Sequence, residues 1–169
     1  MSKVLISTQE AKQDKLFYVV SNVVIIDPKI KKCLLLKRSL GEKVLPGKWV
    51  FPGGKLEHKD VADLLNKSGR NPIDGVNNIL SILAVREANE ECGLEIDEGK
   101  CEIIKDNVFI RPDGIPVFFA ILSAVYQGGN VKYENGAFTE AAWVGLDEID
   151  KYDCPEDIPI LMNKALSKY

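Results

Sequence analysis

The chain has 169 residues, which is room for one folded domain and little more. With 46% apolar and 28% charged residues it can build a core and is too ordinary in composition for disorder. Its 22 bases against 25 acids leave a net charge of −3, so no basic surplus exists to neutralise nucleic-acid phosphates, and any anionic ligand must be met locally by a few bases or a metal. Apolar runs such as Val117 to Leu122 are far short of the roughly 20 residues a bilayer requires, and no apolar leader follows Met1-Ser2-Lys3. The expectation is a soluble, cytoplasmic protein with no membrane partner.

Taken in chain order, Leu16 to Ile26 (LFYVVSNVVII) is a β-branched and aromatic run closed by Asp27-Pro28, and Lys32 to Arg38 (KCLLLKR) follows as a second strand, together predicting a hairpin. Leu45-Pro46-Gly47 and Pro52-Gly53-Gly54 bracket Trp49-Val50-Phe51, a short strand running into a glycine turn. From Asp60 to Gly75 the text turns polar and passes through Ser68-Gly69-Arg70-Asn71-Pro72, predicting a surface excursion with one or two helical turns around Val61 to Leu65.

Asn77 to Cys92 lacks Gly and Pro, places Ile79, Leu80, Leu83, Ala84 and Ala88 at helical spacing, and stops at Gly93, where a C-capping glycine belongs. Beyond it, Ile103 to Ile110 and Val117 to Tyr126 are strands around the turn Pro112-Asp113-Gly114. A short strand at Ala141 to Val144 and helical pieces near Asp147 and from Glu156 to Leu166 complete the chain. Strands and helices interleave without βαβ regularity, which predicts a mixed sheet covered by helices on both faces.

The cysteines Cys33, Cys92, Cys101 and Cys154 form no CxxC pair and read as reduced, mostly buried thiols. His58 is the only histidine, so a multi-histidine metal site is excluded and any chemistry falls first to carboxylates. On the long helix, Glu87, Glu90 and Glu91 stand at i, i+3 and i+4, an arc of about 100° at 3.6 residues per turn. Taken alone, such a face is most often solvated surface. Stacked like charges nevertheless oppose one another, and a hard divalent cation, Mg²⁺ or Mn²⁺, relieves that while leaving coordination positions for phosphate oxygens. Arg86, four residues before Glu90, can orient a carboxylate without competing as a ligand. Upstream, Gly53 and Gly54 let backbone approach a ligand closely, beside Lys55 and Glu57.

Together, Gly53-Gly54-Lys55-x-Glu57 and Arg86-Glu87-x-x-Glu90-Glu91-x-Gly93-Leu94 resemble the Nudix box, G-x5-E-x7-R-E-U-x-E-E-x-G-U, with U a bulky apolar residue. Leu34 to Arg38, Pro46-Gly47-Lys48-Trp49 and Trp143-Val144 with Asp147-Glu148-Ile149 are similar to family text as well, so the resemblance spans about residues 17 to 149. Three positions depart from the pattern. Asp60 stands where the family has glutamate, and 25 residues separate it from Arg86 where the pattern has 7, an insertion of 18 placed at about Val61 to Asn78. Ala88 is small where the family prefers a bulkier apolar residue. A glutamate common six residues before the tryptophan is here Ala137, with Glu134 and Glu140 as substitutes out of register.

The resemblance implies one domain over residues 1–169 with an α/β (α+β) architecture, a Nudix-type α/β/α sandwich around a mixed sheet. It implies metal-dependent hydrolysis of a nucleoside diphosphate linked to another moiety, leaning to (deoxy)nucleoside triphosphates. The alternatives are an ADP-ribose or nucleotide-sugar pyrophosphatase, or a non-catalytic domain that binds a nucleotide or a partner. By position, Glu87, Glu90, Glu91 and the Gly53 carbonyl are the expected ligands of Mg²⁺ or Mn²⁺, with Arg86 orienting Glu87 or Glu90. Glu87, Glu134 or Glu140 is the expected base, with Glu57 and Asp60 in support. Arg38 and Lys55 are the expected phosphate contacts, and Trp49, Phe51 and Phe119 the aromatics able to stack on a base, although strand aromatics are more often core. His58 is expected to be an exposed loop residue without function, and homodimerisation is left open.

Overall fold

The computed structural model describes residues 17–68 and 75–169. The start at Met1, Leu16, and the Gly69 to Pro72 part of the expected loop lie outside the described residues. Among the described residues eight strands form the sheet: β1 Tyr18–Asp27, β2 Lys32–Arg38, β3 Trp49–Val50, β4 Gly53–Lys55, β5 Leu94–Ile96, β6 Glu102–Ile110, β7 Pro116–Gly129 and β8 Phe138–Val144. The helices are α1 His58–Ser68, α2 Ile79–Cys92 and α3 Ile158–Leu166, with short 3₁₀ turns at Glu98–Lys100 and Ile149–Lys151.

The sheet is mixed. β1 lies parallel to β7 from Tyr18↔Val117 to Ile26↔Val125, while the other pairings are antiparallel: β2 with β1, β3 and β8, β4 with β1, and β5 and β6 with β7. The expected β1–β2 hairpin exists only at its turn, through Ile26↔Cys33 and Asp27↔Lys32. Over Val20 to Asn22 the neighbour on that side of β1 is β4 instead, and the sheet divides there. That division brings the Gly53-Gly54 bend into the middle of the molecule.

Alternation along the strands explains the two layers. Val23, Ile25, Leu34 and Leu36 face one core, shared with Ala84, Ala88 and Leu94 on or next to α2. Val24, Ile26, Cys33 and Leu35 face the other, shared with Leu161, Met162 and Ala165 of α3. Both faces are covered, so these strands read as unbroken VVII and LLL runs rather than alternating ones. Ala84 and Ala88 are fully buried, which fits the small residue at 88: α2 packs closely on the sheet.

Several boundaries differ from expectation. α1 covers His58–Ser68, three turns instead of one or two, so Asp60 and His58 sit in a helix and not in a loop. β5 was not anticipated, being only three residues, Leu94–Ile96, that immediately follow the cap of α2. β8 begins at Phe138 and β7 runs on to Gly129, because pairing with β2 and β5 extends both beyond their apolar centres. α2 starts at Ile79 after Asn78, whose φ of 56° lies in the left-handed region, and ends at Gly93 with φ 67°. A Cβ at Gly93 would lie 2.8 Å from the Asn130 carbonyl oxygen, so both backbone conformation and space require glycine. The four cysteines are unpaired, and burial pushes the Cys33 thiol up to about 12 and Cys101 up to about 11, so they stay protonated. Among the described residues, no helix is long and apolar enough to cross a membrane.

Candidate active site

α2 presents Arg86, Glu87, Glu90 and Glu91 toward the bend made by β4. Arg86 is the hub. Its Nη2 lies 2.7 Å from Glu87 Oε1 and donates to the Lys55 carbonyl at 3.0 Å, and its Nη1 donates to Glu90 Oε2 at 2.8 Å. Its buried Nε faces Asp60 Oδ1 at 3.3 Å without a hydrogen bond, a purely Coulombic pair. The first turn of α1 thus delivers Asp60 to the arginine across the inserted segment. A second Asp60 oxygen accepts from the Glu57 amide at 2.8 Å and fixes the carboxylate in place.

The glycine bend touches both inner glutamates. The Gly53 amide donates to Glu91 Oε2 at 2.8 Å, and a Cβ on Gly54 would stand 2.1 Å from Glu87 Oε1. No side chain fits at 54 unless Glu87 moves. Glu87 is 6% exposed, and burial pushes its carboxyl up to about 7, opposed by Arg86 and reinforced by Glu90, Asp60 and Glu134. Burial likewise pushes Glu91 up to about 8, opposed by the Gly53 amide and by Arg38, and reinforced by Glu87 and Glu134. Two desolvated carboxyls pushed up toward and past neutrality in one cluster are the pattern of a functional site.

The two substitutes for the glutamate absent at Ala137 separate clearly. Glu134 donates its amide to the Glu91 carbonyl at 3.3 Å, and its charge acts on both Glu87 and Glu91. Glu140 instead pairs with Lys37 at 2.6 Å, and that ammonium lies 5.9 Å from the centre of the Trp49 ring, in the layer beneath α3. Glu140 therefore belongs to the sheet face turned away from α2, because the period of two along β8 puts it on the side of Ala142 and Val144.

Sharing the Gly53-Gly54 bend with the acids is a cleft of about 1040 Å³, lined also by Arg38, Lys55 and Arg111. Four bases line it, Arg38, Lys43, Lys55 and Arg111, against two acids, Glu42 and Asp113, a local surplus of positive charge in a chain of net −3. Phe109 and Phe119 meet edge to face at 6.3 Å between centroids within it, and Lys55 Nζ sits 5.6 Å from the centre of the Tyr18 ring. The expectation that Trp49 and Phe51 stack on a ligand is corrected. Trp49 is 8% exposed and packed edge to face against Tyr152 at 4.9 Å, and Phe51, although it lines the cleft, is 2% exposed, so burial opposes stacking by either ring. Phe109, Tyr18, Lys43 and Arg111 were missed by sequence reasoning. Only the alternation of β6 and β7 about the Gly114 turn carried a signal for Phe109.

The donor set suits a hard cation, being carboxylate oxygens and backbone carbonyl around an electron-rich, partly desolvated pocket. Among the described residues no three acidic side chains converge on a common point: Glu87 and Glu90 are turned to Arg86, and Glu91 to the Gly53 amide. The residues fit a metal in kind, and internal donors hold them in its place.

Known structures share this architecture. A MutT protein from Methanosarcina mazei is similar at 21% identity with a TM-score of 0.62, covering 93% of this chain and 97% of that one. A Nudix hydrolase from Alicyclobacillus acidocaldarius gives 17% and 0.67, covering 91% and 92%. The Nudix domain of Shewanella oneidensis NrtR, solved as a complex with ADP-ribose, gives 14% and 0.68, covering 99% of both. No protein-family model and no curated protein matches the sequence. The chain has the Nudix hydrolase fold, a mixed sheet between helices.

Proposed function

We propose that this protein is a Nudix pyrophosphohydrolase that uses Mg²⁺ or Mn²⁺ to cleave a nucleoside diphosphate linked to another moiety. The observation that carries this reading is Arg86, which ties Asp60, Glu87, Glu90 and the Lys55 carbonyl into one cluster although the inserted segment lies between the two halves of the motif. An accidental acidic helix face would have no reason to meet a glycine bend that accommodates its carboxylates.

Glu87, Glu90, Glu91 and the Gly53 carbonyl are the residues to hold the ion. When bound, such an ion neutralises diphosphate charge and lowers the pKa of water. Arg86 orients Glu87 and Glu90, and Asp60 holds Arg86. Glu87 or Glu134 accepts the proton of the attacking water; burial sets Glu87 at about 7, close to the range in which a base exchanges protons at neutral pH. Arg38 and Lys55, which line the cleft with the bend, meet the phosphates, and Phe109 and Phe119, lining the same cleft, receive the base.

(Deoxy)nucleoside triphosphates are the leading substrates. An ADP-ribose or nucleotide sugar is the second candidate, supported by a cleft of about 1040 Å³ lined by Arg111 as well as by Arg38 and Lys55. We place the protein in the cytoplasm. Phosphate or pyrophosphate release from a nucleotide panel with Mg²⁺ or Mn²⁺ tests the reading. Turnover that disappears with EDTA and in Glu90→Gln supports it, and nucleotide binding without turnover of any of them would leave a purely binding domain.

A further inference from the structure

The loop between β2 and β3, residues 39–48, lines the cleft through Gly41 to Leu45, and Arg38 fastens that stretch to the body of the protein. The Arg38 Nε donates to the Val44 carbonyl at 2.7 Å and its Nη2 pairs with the Glu42 carboxylate. The guanidinium lies 6.0 Å from the centre of the Phe138 ring, which fixes its plane. Within the loop, Glu42 N–H donates to the Ser39 carbonyl and Lys48 N–H to the Leu45 carbonyl, each at 3.2 Å; its two ends are held by Ser39 N–H to the Ala137 carbonyl at 2.8 Å, Arg38 N–H to the Lys48 carbonyl at 2.9 Å and the Lys48–Asp153 ion pair. Leu45 is held at φ 50°, a left-handed conformation that disfavours leucine, and Leu40, Val44 and Leu45 expose apolar side chains. Between its anchored ends the middle of the loop is therefore held to the body through the Arg38–Glu42 pair and the Arg38–Val44 hydrogen bond, under local strain at Leu45, with apolar surface at the edge of a cleft.

Arg38 also faces the acidic site. It borders the same cleft as Gly53 and Gly54, and its positive charge acts on Glu91. Glu42 is one-third exposed in its side chain and Arg38 about one-fifth, so the pair is open to an incoming anion. A guanidinium binds phosphate as it binds carboxylate, and two anions crowded on one guanidinium repel each other.

We infer that Glu42 is an internal competitor for the anionic group of the ligand: its carboxylate occupies Arg38 in the free protein, and a phosphate of the ligand displaces it, freeing the middle of the 39–48 loop from Arg38. This deepens the pyrophosphohydrolase reading and rests on it for the identity of the anion. The pair keeps Arg38 oriented and makes each ligand that reaches it compete with a residue of the protein's own.

The test is calorimetric titration of inorganic tripolyphosphate into the whole chain in EDTA, comparing wild type with Glu42→Gln, and Asp153→Asn as a charge control. Asp153 pairs with Lys48 at the far end of the same loop and leaves Arg38 untouched. The expected result is that Glu42→Gln binds roughly 3- to 10-fold tighter, that the gain disappears at about 1 M salt, and that Asp153→Asn stays within twofold of wild type. In turnover assays Glu42→Gln should lower KM by a similar factor with kcat within twofold. Unchanged or weaker binding by Glu42→Gln overturns the inference, as does an equal gain in Asp153→Asn, which would reduce the effect to net charge. If the wild-type protein hydrolyses no nucleotide, the enzymatic reading fails while the EDTA titration still decides the role of Glu42.

Discussion

Asp60 stands 3.3 Å from the Arg86 Nε although 25 residues separate the two in sequence. α1 begins at His58, ahead of the inserted segment, and the Glu57 amide holds the Asp60 carboxylate in its first turn, so the length of the detour does not reach the site. Asp60 is a positioning residue, acting through Arg86 on Glu87 and Glu90. Asp60→Asn is expected to lower kcat about tenfold with KM little changed, and Asp60→Glu to recover most of it. Steady-state kinetics beside melting temperatures check this; loss of kcat matched by equal loss for Asp60→Glu, or by collapse of the fold in both, would reduce Asp60 to a structural role.

Gly54 cannot carry a side chain without moving Glu87, because the Cβ would fall 2.1 Å from its Oε1. Gly54→Ala is expected to cost about 1–3 kcal/mol of stability and most of the turnover. A denaturant titration and an activity assay on the same preparation measure both. Near-wild-type values in the two would show that the bend and Glu87 are not in contact.

Burial holds the Glu87 carboxyl at about 7 and Glu91 at about 8, against 4.5 for a free glutamate. Between those values the folded protein binds more protons than the unfolded chain, so the sign is fixed: stability present below about 4.5 is lost as pH rises through 7 and 8. In EDTA the melting temperature should fall from pH 5 to 9, and Mg²⁺ should restore it most at the alkaline end, where the carboxylates are ionised. Glu91→Gln should flatten the alkaline limb in EDTA while abolishing the Mg²⁺ effect. A melting temperature that climbs with pH in EDTA contradicts this assignment.

The aromatic residues divide by layer. Trp49 lies in the core against Tyr152, whereas Phe119 borders the cleft with Phe109. Trp49→Ala should destabilise by about 3–5 kcal/mol. Phe119→Ala should raise KM for a nucleotide roughly 5- to 30-fold with a smaller loss of stability. His58, exposed at the start of α1, should tolerate alanine with turnover within a few-fold of wild type. Equal KM effects for Trp49 and Phe119 would place the base elsewhere.

How much of this was legible in the sequence depends on the range of the contact concerned. α2 announced itself because its periodicity and Gly93 are local; helical spacing put Glu87, Glu90 and Glu91 on one face, and the resemblance to the Nudix box, not the spacing, marked that face as a candidate site. The β1–β7 parallel pairing was not legible, since it joins strands about a hundred residues apart and no local signal names the partner. Glu134 and Glu140 looked equivalent as text; the register of β8 against β2 separates them, sending Glu140 to Lys37 and leaving Glu134 beside Glu91. Trp49 and Phe51 read as candidates because they precede the glycines, but strand alternation and the α3 layer bury them. The bases at Lys43 and Arg111 sit in loops, where residue type says little about which cavity a side chain borders.

The central claim is a divalent cation held by α2 and the Gly53-Gly54 bend, and diffraction from crystals grown with Mn²⁺ at about pH 8 tests it most directly. The account predicts an anomalous peak bounded by the carboxylates of Glu87, Glu90 and Glu91 and the Gly53 carbonyl, with Glu87 and Glu90 turned away from Arg86. An anomalous map with no peak among these residues, the Arg86 cluster intact, would contradict it.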